Sequence, residues 1–116
     1  KKLDIKGREL IINNFYEGIV KFKFGELCDK NLGAEDYLQI SNCCNFIFIE
    51  ELPDFNENNS NQQQRFITLI DIIYEKKIPI LISSEKSINN LNSSKSLSKI
   101  FKRTISRLYE LTSIKI

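Results

Sequence analysis

Two short apolar runs separated by an amphipathic segment constrain the fold of this chain more than any other feature. The runs cover residues 46–49 and 78–82 and are rich in β-branched and aromatic side chains. Such uninterrupted runs are typical of strands that are buried on both faces of a parallel sheet. Between the runs, apolar residues recur at helical spacing in Phe66, Leu69, Ile70 and Ile73. The pattern predicts a strand, a long helix and a second parallel strand, which together form a right-handed βαβ unit.

The first 25 residues predict β structure in the form of a hairpin. Residues 10–12 are apolar, a turn is expected at Asn13 and Asn14, and apolar side chains then alternate with lysines over residues 20–24. Gly7 and Gly18 are expected to mark turns or bulges. We therefore predict a single α/β domain over residues 1–116, cut from something longer, with a β-hairpin region at 1–25 and an α/β unit at 26–116.

Two further helices are expected outside the βαβ unit. One begins near residue 33, runs for about ten residues and carries its apolar side chains at Tyr37, Leu38, Ile40 and Cys44. The other covers residues 96–112 and has one apolar face, formed by Leu97, Phe101, Thr104, Leu108 and Leu111. The polar stretches 56–64 and 85–96 are interpreted as a helix approach and a loop.

The composition excludes several classes of site. The chain contains no histidine, which removes Ser-His, Cys-His and His-metal chemistry. Cys28, Cys43 and Cys44 are odd in number and lack CxxC spacing, so neither a disulfide framework nor a metal site is predicted. We interpret them as small buried residues in a reducing compartment. No stretch approaches the ~18 apolar residues of a membrane span.

Charge is distributed unevenly along the chain. The net charge is only +2, yet residues 26–75 carry ten acids against two bases, and residues 85–116 carry seven bases against two acids. A basic C-terminal helix favours contact with phosphate or an acidic partner, while a solvated helix face is the plainer alternative.

Six phrases in order resemble the C-terminal part of the AFG1/ZapE family of AAA-type P-loop ATPases. They are GREL (7–10), FKFGELC (22–28), LGAEDYLQIS (32–41), FIFIEELP (46–53), RFITLIDIIYEKKIPILISSE (65–85) and FKRTISRLYELTS (101–113). The chain departs from the family pattern at two points. Gln64 stands where the family has the first of two arginines, and Ile72 stands where it has a glutamate after Asp71.

The resemblance implies a three-layer, P-loop-NTPase-like sheet with flanking helices, and a phosphate loop that lies upstream of this segment. The 116 residues contain no GxxxxGK[ST], so the segment alone is not expected to bind or hydrolyse ATP. In the intact protein the resemblance implies ATP and Mg²⁺ as cofactors and an upstream ATPase core as partner. It also admits a homo-oligomer and a division or quality-control protein partner. The implied location is cytoplasmic, including the inner membrane surface or division site, or mitochondrial in a eukaryote.

Arg103 and Arg107 are the candidate catalytic residues. They lie four residues apart on the last predicted helix, so both face the same side. A planar, permanently charged guanidinium can sense a phosphate or act as an arginine finger across an interface. The alternative is an ion pair with an acid such as Asp71 or Glu110. The same choice applies to Arg65. Arg65 and Asp71 are assigned to a structural ion pair or an interface; for Asp71 the ion pair is favoured over an exposed helix position.

Two other features admit more than one interpretation. Glu50 and Glu51 follow an apolar strand as Walker B acids do, and Ser83 and Ser84 occupy the corresponding end of the next strand. Without a phosphate loop the acids have no nucleotide magnesium to serve, so we favour a strand end and a solvated turn. The alternative function is a non-catalytic module that binds a protein or nucleic acid through the basic helix. The absence of an exposed aromatic stripe argues against nucleic acid.

Overall fold

Residues 1–5 and 7–113 are described by the computed structural model, except for the side chain of Arg8. Within these ranges the strands are β1 Lys2–Ile5, β2 Arg8–Ile11, β3 Asn14–Tyr16, β4 Ile19–Lys23, β5 Phe46–Leu52 and β6 Ile80–Ser84. The helices are α1 Phe24–Cys28, α2 Ala34–Asn42, α3 Ser60–Glu75 and α4 Ser98–Thr112. A mixed α/β structure with an N-terminal antiparallel hairpin is therefore confirmed. Lys6 and residues 114–116, which the predicted domain includes, lie outside the described ranges.

The N-terminal β structure consists of two hairpins where the sequence predicted one. Strands β1 and β2 form a two-stranded antiparallel sheet, while β3 pairs with β4 in the main sheet. Gly7 and Gly18 have φ of 82° and 86°, a left-handed conformation that glycine adopts without strain. The hairpin turn expected at Asn13 and Asn14 was wrong. The chain bends at Asn13 and Asn14 begins β3, but both hairpins close at their glycines. Phe24, expected in the returning strand, instead begins α1.

The main sheet has the strand order β3-β4-β5-β6, and β4, β5 and β6 are parallel. The register fixes which side chains share a face, because neighbouring residues on a strand point in opposite directions. One face carries Val20, Phe22, Ile47, Ile49 and Ile80, and all of these are buried in the core. We call this the inner face.

Four phenylalanines join the helices to the inner face. Phe55, in the loop after β5, has its ring centroid 5.8 Å from Phe24 and from Phe66, and 5.4 Å from Phe101 in an edge-on arrangement. These residues come from α1, the loop, α3 and α4, and each is nearly fully buried. Helix α3 contacts the other three helices. Its four predicted core residues, Phe66, Leu69, Ile70 and Ile73, are all buried, as the sequence indicated.

Carboxylates close to their own helix starts define the beginnings of α1 and α2. Glu26 accepts a hydrogen bond from the Lys23 N–H at 2.9 Å, and Asp36 accepts one from the Gly33 N–H at 2.8 Å. Each bond satisfies an amide that the helix leaves unpaired, and the negative charge favours the helix N-terminus. These contacts place α2 after Gly33, where the sequence predicted it.

The opposite face of the sheet is not covered by any helix among residues 7–113. This outer apolar face is formed by Tyr16, Ile19, Phe46, Phe48 and Leu81. Ile19 and Leu81 are 48% and 49% exposed, and the two phenylalanines are half-buried. The expectation that both faces of β5 and β6 would be buried is therefore met on the inner face alone.

Candidate functional site

The candidate arginines lie at the contact between α3 and α4. Arg103 and Arg107 are one turn apart on α4, and Asp71 faces them from α3. Arg107 donates through Nη1 to Asp71 Oδ1, and the Arg103 Nη2 lies 3.5 Å from Asp71 Oδ2. Two guanidinium groups therefore share one carboxylate, and Asp71 is the ion-pair partner that the sequence predicted.

Tyr74 extends this site along α3. The Arg107 guanidinium lies 4.6 Å from the centre of the Tyr74 ring, and Lys77 Nζ lies 3.7 Å from it. The Tyr74 hydroxyl donates to Glu110 Oε2 at 2.9 Å, and Lys77 Nζ is 3.8 Å from the same oxygen. Cations over an aromatic face are attracted by its quadrupole. We call this group the arginine cluster; it consists of Asp71, Tyr74, Lys77, Arg103, Arg107 and Glu110.

The two arginines differ in how far they can reach beyond the cluster. The side chain of Arg107 is 21% exposed, being held by the Asp71 carboxylate and the Tyr74 ring, whereas that of Arg103 is 58% exposed. Of the two acids that the sequence offered as partners, Asp71 takes both arginines, and Glu110 contacts Tyr74 and Lys77. Contact with phosphate stays a prediction, and Arg103 is the arginine with more surface available for it.

Arg65 contacts a helix end, whereas the sequence had left a phosphate role, an ion pair or an interface contact open. Its Nη1 donates to the carbonyl oxygen of Cys28 at 2.8 Å, and Cys28 is the last residue of α1. The guanidinium thus satisfies a carbonyl that the helix leaves unpaired and attaches α3 to α1. Burial raises the pKa of the Cys28 thiol to about 12, although a hydrogen bond with Tyr37 and the charge of Arg65 act in the opposite direction. A protonated, buried thiol fits the structural role inferred for this cysteine.

The acids that follow the apolar run of β5 diverge. Both lie within β5, so the predicted turn starts later, after Leu52. Glu50 points to the outer face and lies 3.4 Å from Lys21 Nζ. Glu51 occupies a bulge with φ of 61°, and its N–H donates to Ser83 Oγ at 3.2 Å. The two carboxylates do not converge on a common point.

Glu51 lines two neighbouring clefts at the carboxyl ends of the parallel strands, with volumes of about 590 and 430 Å³. The larger cleft is also lined by Lys23 and Lys30 and by Glu26 and Asp29, so its charges are mixed. Within residues 1–5 and 7–113 there is no group of three or more His, Cys, Asp or Glu side chains that could hold a metal ion. The mixed charges of the larger cleft therefore do not form a concentrated anion site.

A polar seam connects the start of α3 to the loop before α4. The Asp54 carboxylate accepts hydrogen bonds from Lys86 Nζ at 2.9 Å and from the Asn92 N–H at 2.6 Å. Buried Gln63 donates to Ser93 Oγ at 2.7 Å and accepts from the Ser94 N–H at 3.1 Å. We call this group the polar seam; it consists of Asp54, Glu57, Gln63, Lys86, Asn92, Ser93, Ser94 and Lys95. It was not predicted from the sequence. Its residues come from two polar stretches about 30 residues apart in the sequence. Nothing in either stretch indicates that it contacts the other.

The comparisons with known proteins agree with the phrases found in the sequence. A family model described as AFG1-like ATPase matches residues 1–116. This chain belongs to the AFG1-like ATPase family. The chain is 33% identical over 89 residues to lactation elevated protein 1 homolog B of Danio rerio, which is 77% of this chain and 18% of that protein. It is 25% identical over 111 residues to cell division protein ZapE of Escherichia coli K12, which is 96% of this chain and 30% of that protein.

The chain thus spans less than a third of the length of these AFG1-like relatives. No solved structure gives a significant match. The described part of the chain has no helix that is long and apolar enough to cross a membrane. The sequence lacks the GxxxxGK[ST] loop, so the residues present do not supply the backbone cradle and the lysine that hold the phosphates of ATP.

Proposed function

We propose that this chain is the C-terminal region of an AFG1-like ATPase and that it completes an ATP-hydrolysing unit whose phosphate loop lies upstream. The main support for this proposal is that the family match covers residues 1–116 while these residues contain no phosphate loop. ATP and Mg²⁺ belong to the upstream core, and this region supports the core through its packing and its arginines.

Within this function, Arg103 is the residue proposed to contact a phosphate. Its side chain is more than half exposed, and its Nη2 lies 3.5 Å from Asp71 Oδ2, a longer contact than that of Arg107. Arg107 is the closer partner of Asp71 and stacks on Tyr74, so it would orient the cluster and reach a phosphate only by leaving Asp71.

The arginine roles are tested in the longer AFG1-like polypeptide that contains these residues. Arg103→Ala is expected to lower ATP turnover by roughly a thousandfold, the range of an arginine finger, without changing the melting temperature. Lys102→Ala, which removes the neighbouring exposed charge on α4, is the matched control and should leave turnover unchanged. If Arg103→Ala and Arg107→Ala both retain normal turnover and assembly, the phosphate role is wrong.

The core of the proposal has its own test. The longer polypeptide should hydrolyse ATP, and the 116-residue chain alone should not. A parent reading frame without GxxxxGK[ST] upstream of Lys1 would contradict the ATPase assignment. The name of one relative, cell division protein ZapE, supports a setting in bacterial cell division. The resemblance of the sequence to the family adds mitochondrial quality control as the eukaryotic alternative. The proposed location is cytoplasmic or mitochondrial accordingly.

A second candidate function follows from the charge of α4. Between residues 95 and 109 the chain carries five bases and no acid, and Lys99, Lys102 and Arg103 are exposed. Such a surface attracts an acidic protein partner through long-range electrostatics. Binding that weakens steeply as salt is raised, and that Lys99→Glu with Lys102→Glu abolishes, would support this function. Binding that persists at high salt would contradict it.

A further inference from the structure

The outer apolar face combines two properties that are rarely found on a surface in contact with water. It lies on a sheet in which β4, β5 and β6 are parallel. Parallel sheets occur almost always with both faces covered. Its side chains are large and contiguous through the strand register, from Ile19 beside Phe46 on β5 to Phe48 beside Leu81 on β6. Contiguous exposed apolar patches mark a contact surface.

Two polar groups at the centre of this face are paired, and Lys23 adds one further positive charge where β4 ends. Lys21 Nζ lies 3.4 Å from Glu50 and 5.8 Å from the centre of the Phe48 ring. The lysine and glutamate therefore cancel in charge at the centre of the face, and the stem of Lys21 extends over the aromatic ring. A face of this kind favours an apolar partner over a phosphate or an acidic segment, which distinguishes it from the basic surface of α4.

We infer that the outer apolar face is the surface on which the rest of the AFG1-like polypeptide packs, through an apolar helix or strand layer. This inference rests on the proposed function. The matched region makes up 18% and 30% of the two relatives, so most of each relative lies outside it and is available to supply a covering layer. A covering layer within the same polypeptide has a high effective concentration at the face, which a second copy does not have. This occupant completes the second face that a parallel sheet requires.

The inference is tested by cysteine labelling in the longer AFG1-like polypeptide. Leu81→Cys and Ile19→Cys place thiols on the outer apolar face, at positions that are 49% and 48% exposed in this chain. Leu38→Cys on α2 and Ile100→Cys on α4 are matched controls, because their parent residues are 42% and 44% exposed. Modification by a maleimide is followed for each peptide by mass spectrometry, in native buffer and in urea.

The expected result is that both outer-face thiols react at least about tenfold more slowly than the controls in native buffer, because labelling then requires local opening. All four should react alike in urea. Equal native rates would overturn the inference. Slow labelling that appears only as protein concentration rises, together with a dimer in light scattering, would also overturn it, because a second copy would then be the occupant.

ATP turnover of the unsubstituted polypeptide separates this inference from the proposed function. If the polypeptide hydrolyses ATP and its outer-face thiols react freely, the packing surface is contradicted and the ATPase assignment stands. Protected thiols in a polypeptide that does not hydrolyse ATP would support the packing surface and contradict the ATPase assignment.

Discussion

The two faces of the four-stranded sheet carry the same kinds of side chain in opposite surroundings. Ile80 and Leu81 are neighbours on β6, yet Ile80 is 3% exposed on the inner face and Leu81 is 49% exposed on the outer face. Apolar character alone therefore does not tell which face is covered within this chain. The inner face is fixed by helices of the same chain, whereas the outer face is apolar without a cover from residues 7–113. If this difference affects stability, substitutions on the two faces should change the free energy of unfolding by different amounts.

The largest effect is expected at the centre of the covered side. Phe66 is fully buried and its ring centroid lies 5.9 Å from that of Phe24. Phe66→Ala should lower the free energy of unfolding by about 3–5 kcal/mol, through lost burial and the cavity left behind. Urea unfolding followed by circular dichroism measures this. Since a domain of this size has a total stability of roughly 5–15 kcal/mol, Phe66→Leu provides a milder variant that should still fold.

Tyr16→Ala is the matched aromatic control for this change. Tyr16 lies on the outer apolar face and is 70% exposed, so its loss should change the unfolding free energy by less than about 1 kcal/mol. If Tyr16→Ala and Phe66→Ala lower the free energy of unfolding equally, the two faces contribute equally to stability and the contrast between them is wrong.

A smaller but cleaner effect is expected at Ile80, where backbone position and strand are held constant. Ile80→Thr removes buried hydrocarbon and places a hydroxyl among the core side chains. The expected loss of unfolding free energy is about 2–4 kcal/mol. Threonine retains the β-branched shape that strands favour, so the change reports burial more than strand propensity. If Ile80→Thr lowers the free energy of unfolding by less than an ordinary surface substitution does, the assignment of Ile80 to the inner face is contradicted.

The polar seam gives a prediction that depends on pH. Burial alone would raise the pKa of the Asp54 carboxyl, but hydrogen bonds from Asn92 and Lys86 outweigh it and lower the pKa from 3.8 to about 2. Because the folded pKa is below the unfolded value, the carboxylate stabilises the fold above pH 4 and this contribution is lost as pH falls towards 2. Asp54→Asn should therefore cost roughly 1–2 kcal/mol at pH 7.

The difference between Asp54→Asn and the unsubstituted chain should shrink as pH falls from 4 to 2. Thermal unfolding at several pH values measures both proteins under the same conditions. A gap that stays constant across this range would show that the seam depends on the shape of residue 54 and not on its charge. The seam would then not explain how the loop before α4 is held beside the covered face.

The sequence predicted what depends on local periodicity and missed what depends on distant partners. The βαβ unit follows from residues near one another, and Phe66 to Ile73 face the core as their spacing indicates. Phe55 was missed because it stands alone between a predicted turn and the polar stretch 56–64, although it contacts three other phenylalanine rings. The hairpin pairing was assigned wrongly since apolar residues 10–12 fit more than one partner strand. Only the turn geometry at the glycines determines that choice.

The candidate site divides in the same way. Charge type and helical spacing were enough to place Arg103 and Arg107 on one face, and Asp71 was identified as an acid that needed a partner. The stacking of Arg107 on Tyr74 could not be predicted, because it depends on how α3 and α4 pack together. For Arg65 the sequence left a phosphate, an acid or an interface open as the partner. Its guanidinium contacts the carbonyl at the end of α1, and the sequence does not show which carbonyls remain unpaired.

The smallest effect is expected at Leu81, and it bears most directly on the comparison. Leu81→Thr keeps a residue suited to a strand and removes apolar area that is already half in water. In the 116-residue chain it should change the unfolding free energy by less than about 0.5 kcal/mol, as surface substitutions do. In the longer AFG1-like polypeptide the same change should weaken the fold or the attachment of this region, because there the side chain would be buried by its covering layer. Unfolding measured in both proteins tests this, and an equally small effect in both would mean that the outer apolar face remains open to water in the intact protein.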